Sequence, residues 1–177
     1  MNDGELRKYC EDAYKLEHQI KDQLNSRISF PVTYLVLMVG FLGYLVNDFN
    51  WRATSQLSVM FIVVASLDLS LVVISISYIF VFLLNHSYDH MPTLLESVKY
   101  REQLREFHRQ NGDDNHQTAD AEFEKYMIHT LAECQNHNAF INSQKSRLLI
   151  RTMRGLLGLL VFLALTTIPF YCAKGYK

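Results

Sequence analysis

Three apolar runs interrupt a chain whose remaining apolar residues recur every three or four positions, and those runs set the frame. The longest is Leu57 to Leu84, LSVMFIVVASLDLSLVVISISYIFVFLL, with one charge, Asp68, near its middle. As a helix rising 1.5 Å per residue it reaches about 42 Å, beyond a hydrocarbon core of about 30 Å. It is expected to tilt, or to leave the bilayer still helical. The other runs are Phe30 to Val46, with Pro31 at its entrance, and Gly155 to Ala173, interrupted near its end by Pro169. The polar loop Asn47 to Gln56 carries Phe49 and Trp51, a composition suited to an interfacial aromatic belt. Spans of about 30–46 and 57–84 joined so closely form an antiparallel hairpin.

Between the runs the spacing is that of amphipathic helices. Asp3 can cap a helix continuing to about Arg27, with a seam of Leu6, Tyr9, Ala13, Leu16, Ile20 and Leu24. Its acids (Glu5, Glu11, Asp12, Glu17, Asp22) favour packing on another helix over lying on a membrane surface. Met91-Pro92-Thr93 starts a helix to about Gln110, with Leu94, Leu95, Val98, Leu104 and Phe107 inward. Asn111 to His116 is a turn by composition. Ala119 to Arg154 reads as one long helix entering the third span, with Phe123, Met127, Leu131, Cys134, Asn138, Ile141 and Leu148 as its seam. The expected fold is an all-α membrane protein with three transmembrane helices, whose long helices run on into a cytoplasmic helical domain. Its segments are an amphipathic helix (1–28), a transmembrane hairpin (29–84), a cytoplasmic helical hairpin (85–154), a third span (155–173) and an external tail (174–177).

Charge placement then sets the orientation. The net charge of −1 points to no nucleic-acid partner. Lys15, Lys21 and Arg27 precede span one, Lys99 and Arg101 follow span two, and Lys145, Arg147, Arg151 and Arg154 precede span three. The other side has Arg52, Lys174 and Lys177. The positive-inside rule puts the N-terminus and the 85–154 region in the cytoplasm and the C-terminus outside. The N-terminus lacks a signal peptide's short apolar core and cleavage site, so the chain reads as uncleaved. Three scattered cysteines, Cys10, Cys134 and Cys172, give neither a disulfide framework nor a paired-thiol metal pattern.

Polar residues inside the spans are the first candidates for function, because a mid-membrane charge usually faces a bundle interior or a water path. Ser66, Ser70 and Ser77 share one sector of span two, while Asp68 and Ser75 share the opposite sector. These five are read as pore-lining or as polar residues within the bundle. Gly40, Gly43, Gly155 and Gly158 are read as points of close helix packing. Asn138 and Asn142, one turn apart, fix register or oligomeric state, or else bind a polar ligand. The stripe of Arg147, Arg151 and Arg154 suits anionic headgroups or a phosphate-bearing ligand such as a signalling nucleotide.

Other motifs carry less chemistry. His129, Glu133 and His137 stack on one helix face, but three residues over two turns need a second helix to hold one ion. His86, Asp89 and His90 could serve a metal- or proton-responsive sensor below span two. Arg109 and His116 match a loose Arg-x4–6-His ribonuclease pattern interrupted by a Gly-Asp-Asp turn. Phosphate loops, nucleophile triads and framed catalytic carboxylates are missing from the sequence, so neither an enzyme nor a cofactor is expected.

The stretch Tyr126 to Leu160, YMIHTLAECQNHNAFINSQKSRLLIRTMRGLLGLL, has spaced asparagines, then Lys145, Arg147 and Arg151, then an apolar span. In this it resembles helices of the small multi-span membrane effectors that accompany CBASS, retron and CRISPR systems in bacterial anti-phage defence. The resemblance implies a homo-oligomer in the inner membrane that, once triggered, permeabilises or depolarises it. It also implies a trigger in the form of a defence-system partner protein or a ligand at a subunit interface. The alternative is a non-conducting adaptor whose cytoplasmic helices recruit a soluble partner.

Overall fold

The computed structural model describes residues 3–84, 87–112 and 116–175, and every regular element among them is helical. The helices are α1 (Asp3–Arg27), α2 (Ser29–Asn47), α3 (Ser55–Leu84), α4 (Leu94–Gln110) and α5 (His116–Gly175). Three helical stretches, Gly4–Asn47, Ser55–Leu84 and Gln117–Gly175, are long and apolar enough to cross a membrane. The first joins α1 to α2 through Ile28, whose φ of −69° and ψ of −23° are helical. Pro31 falls in the first turn of α2, where a missing N–H is no loss.

Pro169 does not interrupt the last span: α5 continues through it to Gly175. A proline inside a helix withdraws one N–H from the ladder, and nearby hydroxyls can compensate in an apolar setting. Thr166 and Thr167 of the preceding turn have their hydroxyls within 3.0 Å of Phe162 O and 2.6 Å of Ala164 O, carbonyls other than the one at 165 that Pro169 leaves without its usual N–H.

The chain divides into two compact units. One comprises Leu24–His86 with Gln144–Lys177 and holds the apolar helices. Its buried positions follow the three-four alternation of knobs-into-holes packing. They are Leu35, Met38, Leu42 and Leu45 on α2, and Asp68, Val72, Ser75, Ile79 and Phe82 on α3. On α5 they are Thr152, Leu156, Leu159, Leu163, Thr166, Phe170 and Ala173. The loop between α2 and α3 folds back on this bundle. Phe49 is buried and stacks on Phe61 at 4.0 Å, while Trp51 stays exposed beside them. Of the two aromatics expected at an interface, Phe49 is therefore a core residue. Asn50 Nδ2 donates to Ala173 O at 3.2 Å, and Lys174 Nζ pairs with Asp48 Oδ2 at 2.9 Å. That contact holds the Asp48 carboxyl below its ordinary value.

The other unit comprises Met1–Gln23 with Ser87–Ser143. The expected seam of α1 holds in part, with Leu24 buried and Leu6, Ala13 and Ile20 partly covered. Tyr9 and Leu16 are exposed, while Cys10 is buried and Tyr14, Glu17, His18 and Lys21 are partly covered. The reason is polar: this face meets hydrogen-bonding groups of the 87–93 segment and α5 rather than an apolar neighbour. On α4 four of the five expected inner residues are turned out, with Leu94 82% and Leu95 78% exposed and Val98 and Phe107 also exposed, while Leu104 is partly covered. What α4 offers inward is Ser97, its buried residue, and arginines. Arg101 and Arg105 grip Asp120 of α5 at 2.8 and 3.0 Å. The Arg101 and Arg105 hydrogen bonds hold that carboxyl far below its ordinary range. A capping box fixes the start of α4, with Thr93 N–H donating to Glu96 Oε2 at 2.7 Å and Glu96 N–H to Thr93 Oγ1 at 3.3 Å. After α4 the chain turns at Gly112, whose φ of +79° favours glycine.

Candidate functional site

The polar residues of α3 divide between an inner and an outer face, and the inner pair contacts α5. Asp68 is fully buried, and Thr166 Oγ1 lies 2.6 Å from its Oδ2. The threonine hydroxyl has one proton and two acceptors in reach, that carboxyl oxygen and Phe162 O. Among the described residues Asp68 Oδ1 has no partner, and neither does the buried hydroxyl of Ser75 two turns on. Ser75 Oγ faces Gly155, where an added Cβ would come within 2.9 Å of it. Glycine is thus what lets α3 and α5 approach here. At Gly158 a Cβ would meet Leu71 at an ordinary 3.7 Å. Buried polar atoms without partners are costly, so Asp68 and Ser75 tax the stability of this seam.

The outer face of α3 is different. Ser66, Ser70 and Ser77 are exposed, and each hydroxyl bonds a carbonyl of its own helix: Val63 O, Ser66 O and Val73 O, at 2.7 to 2.9 Å. Ser66 also borders a groove of about 460 Å³ between α2 and α3, together with Gly43, Ala65, Leu42 and Leu69. A Cβ at Gly40 or Gly43 would meet nothing within 4 Å. These glycines therefore permit no close approach within the single chain and leave room beside α2.

The two asparagines hold the segment that leads into α4. Asn138 pairs with the backbone of Asp89 in both directions, Nδ2 donating to Asp89 O and Oδ1 accepting from Asp89 N–H, each at 3.0 Å. Asn142 Oδ1 accepts from the Tyr88 hydroxyl at 2.7 Å, and its Nδ2 donates to Glu17 O and Glu17 Oε2 at 2.8 Å. Both side chains are buried and satisfied within the chain. Around them His137 Nε2 lies 3.1 Å from Ser87 O, Lys21 sits over the Tyr88 ring, and His18 stacks on His90 at 5.9 Å. Burial, aided by Lys21 and His90, pushes His18 below its ordinary value.

The basic stripe is split. Arg147, Arg151 and Arg154 are exposed, whereas Lys145 of the same sequence cluster is buried, reaching Asn25 Oδ1 at 3.3 Å and lying over the Phe82 ring. His129 and Glu133 contact each other at 3.5 Å on the surface, apart from His137. No group of three metal-ligating residues forms among the described residues. Arg109 pairs with Glu106 of its own helix. The side chains of Asp3 and His116, and all of His86, lie outside the described residues.

Thr166, Tyr88 and Glu17 are the contributors that sequence reasoning missed. Thr166 had a signal, since it falls in step with Leu159, Leu163 and Phe170 and thus on the buried stripe of α5. Tyr88 and Glu17 had none, because their partner amides are far away in sequence. Compared with known proteins, the chain matches no family, no curated protein and no solved structure.

Proposed function

We propose that this chain is a bacterial inner-membrane protein that assembles with copies of itself and permeabilises or depolarises the membrane as a defence effector. The observation that carries this reading is the outer face of α2 and α3. Ser66 borders a groove with Gly43 and Ala65, Ser70 and Ser77 are exposed further along α3, and there is open space at Gly40 and Gly43. In lipid, small residues let helices of neighbouring copies approach, and serines offer the polar lining a ring needs around an aqueous path. One chain cannot enclose such a path, because its inner seam is filled by Phe61, Val72, Phe82, Leu159 and Phe170. On the proposed topology the N-terminus and the Arg-rich ends of the spans are cytoplasmic and Lys174 is external. The defence setting rests on the resemblance of 126–160 alone.

Native mass spectrometry and ion leak from liposomes test the proposal together. The wild-type chain is expected to form a closed ring of four or more copies and to leak. Gly43→Leu meets open space in the single chain, so it should leave the helices intact yet reduce the mass to that of a monomer. Ser70→Leu should keep the ring and lose conduction. A wild-type monomer, or undiminished leak in both variants, overturns the reading.

A second reading has its own support. The exposed apolar residues of α4, Leu94, Leu95, Val98 and Phe107, are what an adaptor would use to recruit a soluble partner. Such a protein leaks nothing in liposomes on its own.

A further inference from the structure

The arginines of this chain fall into two sets. Arg7, Arg101, Arg105 and Arg109 each have a carboxylate oxygen within 3.0 Å. Among the described residues Arg27, Arg52, Arg147, Arg151 and Arg154 have no ion-pair partner, and two of these, Arg27 and Arg154, share one groove. Each stands at the threshold of an apolar segment: Arg27 ends α1 just before α2, and Arg154 precedes Gly155. Because α2 and this part of α5 also meet at their far ends, through Asp48 and Lys174, the two helices run in the same direction. Arg27 and Arg154 both line one groove of about 520 Å³, continued by Phe30, Ile150, Met153 and Leu157. Phe30, Ile150 and Leu157 are all exposed, at 55%, 49% and 64%.

We infer that this groove binds one anionic glycerophospholipid, its phosphate between Arg27 and Arg154 and an acyl chain along Phe30, Ile150, Met153 and Leu157. A guanidinium recognises phosphate oxygens through paired N–H donors, and two unpaired guanidiniums with no acid between them complement that charge. The apolar floor identifies the phosphate as a lipid's, since a free anion gains nothing from a phenyl and three aliphatic side chains. Basic pockets on the cytoplasmic side of membrane helices are known to hold lipid headgroups in this manner. The inference rests on the chain residing in a membrane, but it requires neither a ring nor a pore.

The test uses the full chain in detergent with added phosphatidylglycerol or phosphatidylcholine, followed by native mass spectrometry. One phosphatidylglycerol should remain bound, and phosphatidylcholine should not. Arg27→Gln with Arg154→Gln should weaken retention by at least about tenfold, as loss of two charge-assisted contacts requires. Arg147→Gln with Arg151→Gln should leave retention unchanged, because those residues lie outside the groove. Met153→Trp keeps both charges and fills the floor, and it too should abolish retention, which guards against misfolding of the arginine variant. Excess inorganic phosphate should not compete. Equal retention in the wild type and the Arg27/Arg154 variant, equal loss in the Arg147/Arg151 variant, or displacement by inorganic phosphate overturns the site. A chain that stays in the aqueous phase on detergent partitioning refutes the membrane reading itself, and loss of liposome leak with lipid still bound refutes only the pore.

Discussion

At Gly155 a single hydrogen atom in place of a side chain sets the distance between two helices. Its neighbour Ser75 Oγ would lie 2.9 Å from a Cβ there, whereas Gly158, one turn on, has ordinary room. The two glycines therefore respond differently to substitution. Gly155→Leu should push α3 away from α5 and cost about 1–3 kcal/mol, the usual range for an overpacked core. Gly158→Ala should be neutral or stabilising by up to about 1 kcal/mol, because alanine favours helix where space allows. Thermal unfolding in detergent checks both; a Gly155→Leu protein as stable as the wild type would mean that the seam yields freely. Asp68 was legible in the sequence as a charge requiring a protein environment, but its environment was not. Nothing in a linear apolar run says that Thr166 supplies the hydroxyl.

At the scale of the element, the apolar helices were the legible ones. Long runs such as Phe30 to Val46 leave few alternatives to a buried or lipid-covered helix, and α2 and α3 begin and end within two residues of the spans inferred. The amphipathic helices were harder, because which stripe faces inward depends on the partner. Leucines at 94 and 95 suggested an inner face for α4, yet Asp120 attracts Arg101 and Arg105 and turns those leucines out. On α1 the polar stripe through Glu17 and His18 is drawn inward by Asn142 and the 87–93 segment. That stripe has a pH consequence. His18 in the folded chain resists protonation below its ordinary value of 6.5, so the unfolded chain binds more protons as pH falls through the histidine range. The anchorage of α1 should therefore weaken on acidification and stay firm above that range. His90, Lys21 and Asp22 act on the same ring. Hydrogen exchange of α1 amides should show acid-accelerated opening in the wild type and much less in His18→Gln; identical profiles would remove His18 as the cause.

For the whole molecule, the asymmetry of cysteine burial offers a natural probe of the proposed topology. Cys10 and Cys134 are buried and Cys172, near the end of α5, is exposed. Burial also pushes the Cys134 thiol above its ordinary value, which leaves it unreactive. A membrane-impermeant maleimide applied to intact cells should label the chain once, at Cys172. Labelling of Cys172 only in inside-out vesicles would reverse the orientation, and with it the assignment of the arginine-rich ends to the cytoplasm. The asparagines show why the candidate site was only partly readable at this scale. A polar residue on an apolar seam signals a specific partner, but Asn138 and Asn142 find theirs 49 to 125 residues away, in the segment before α4 and on α1, which nothing local to the asparagines indicates.

The bond between Asp68 and Thr166 spans 98 residues of sequence. At roughly 5–20 residues per second of synthesis, α3 is complete roughly 4–16 s before its threonine is made. If the chain inserts in a membrane as proposed, the α2–α3 hairpin waits for that interval with a carboxyl group that has not yet met Thr166. A helix in that condition has reason to linger at the insertion machinery until α5 arrives. On the proposed membrane topology, the carboxyl that taxes the finished seam would also favour holding the hairpin back from lipid until the third helix can receive it.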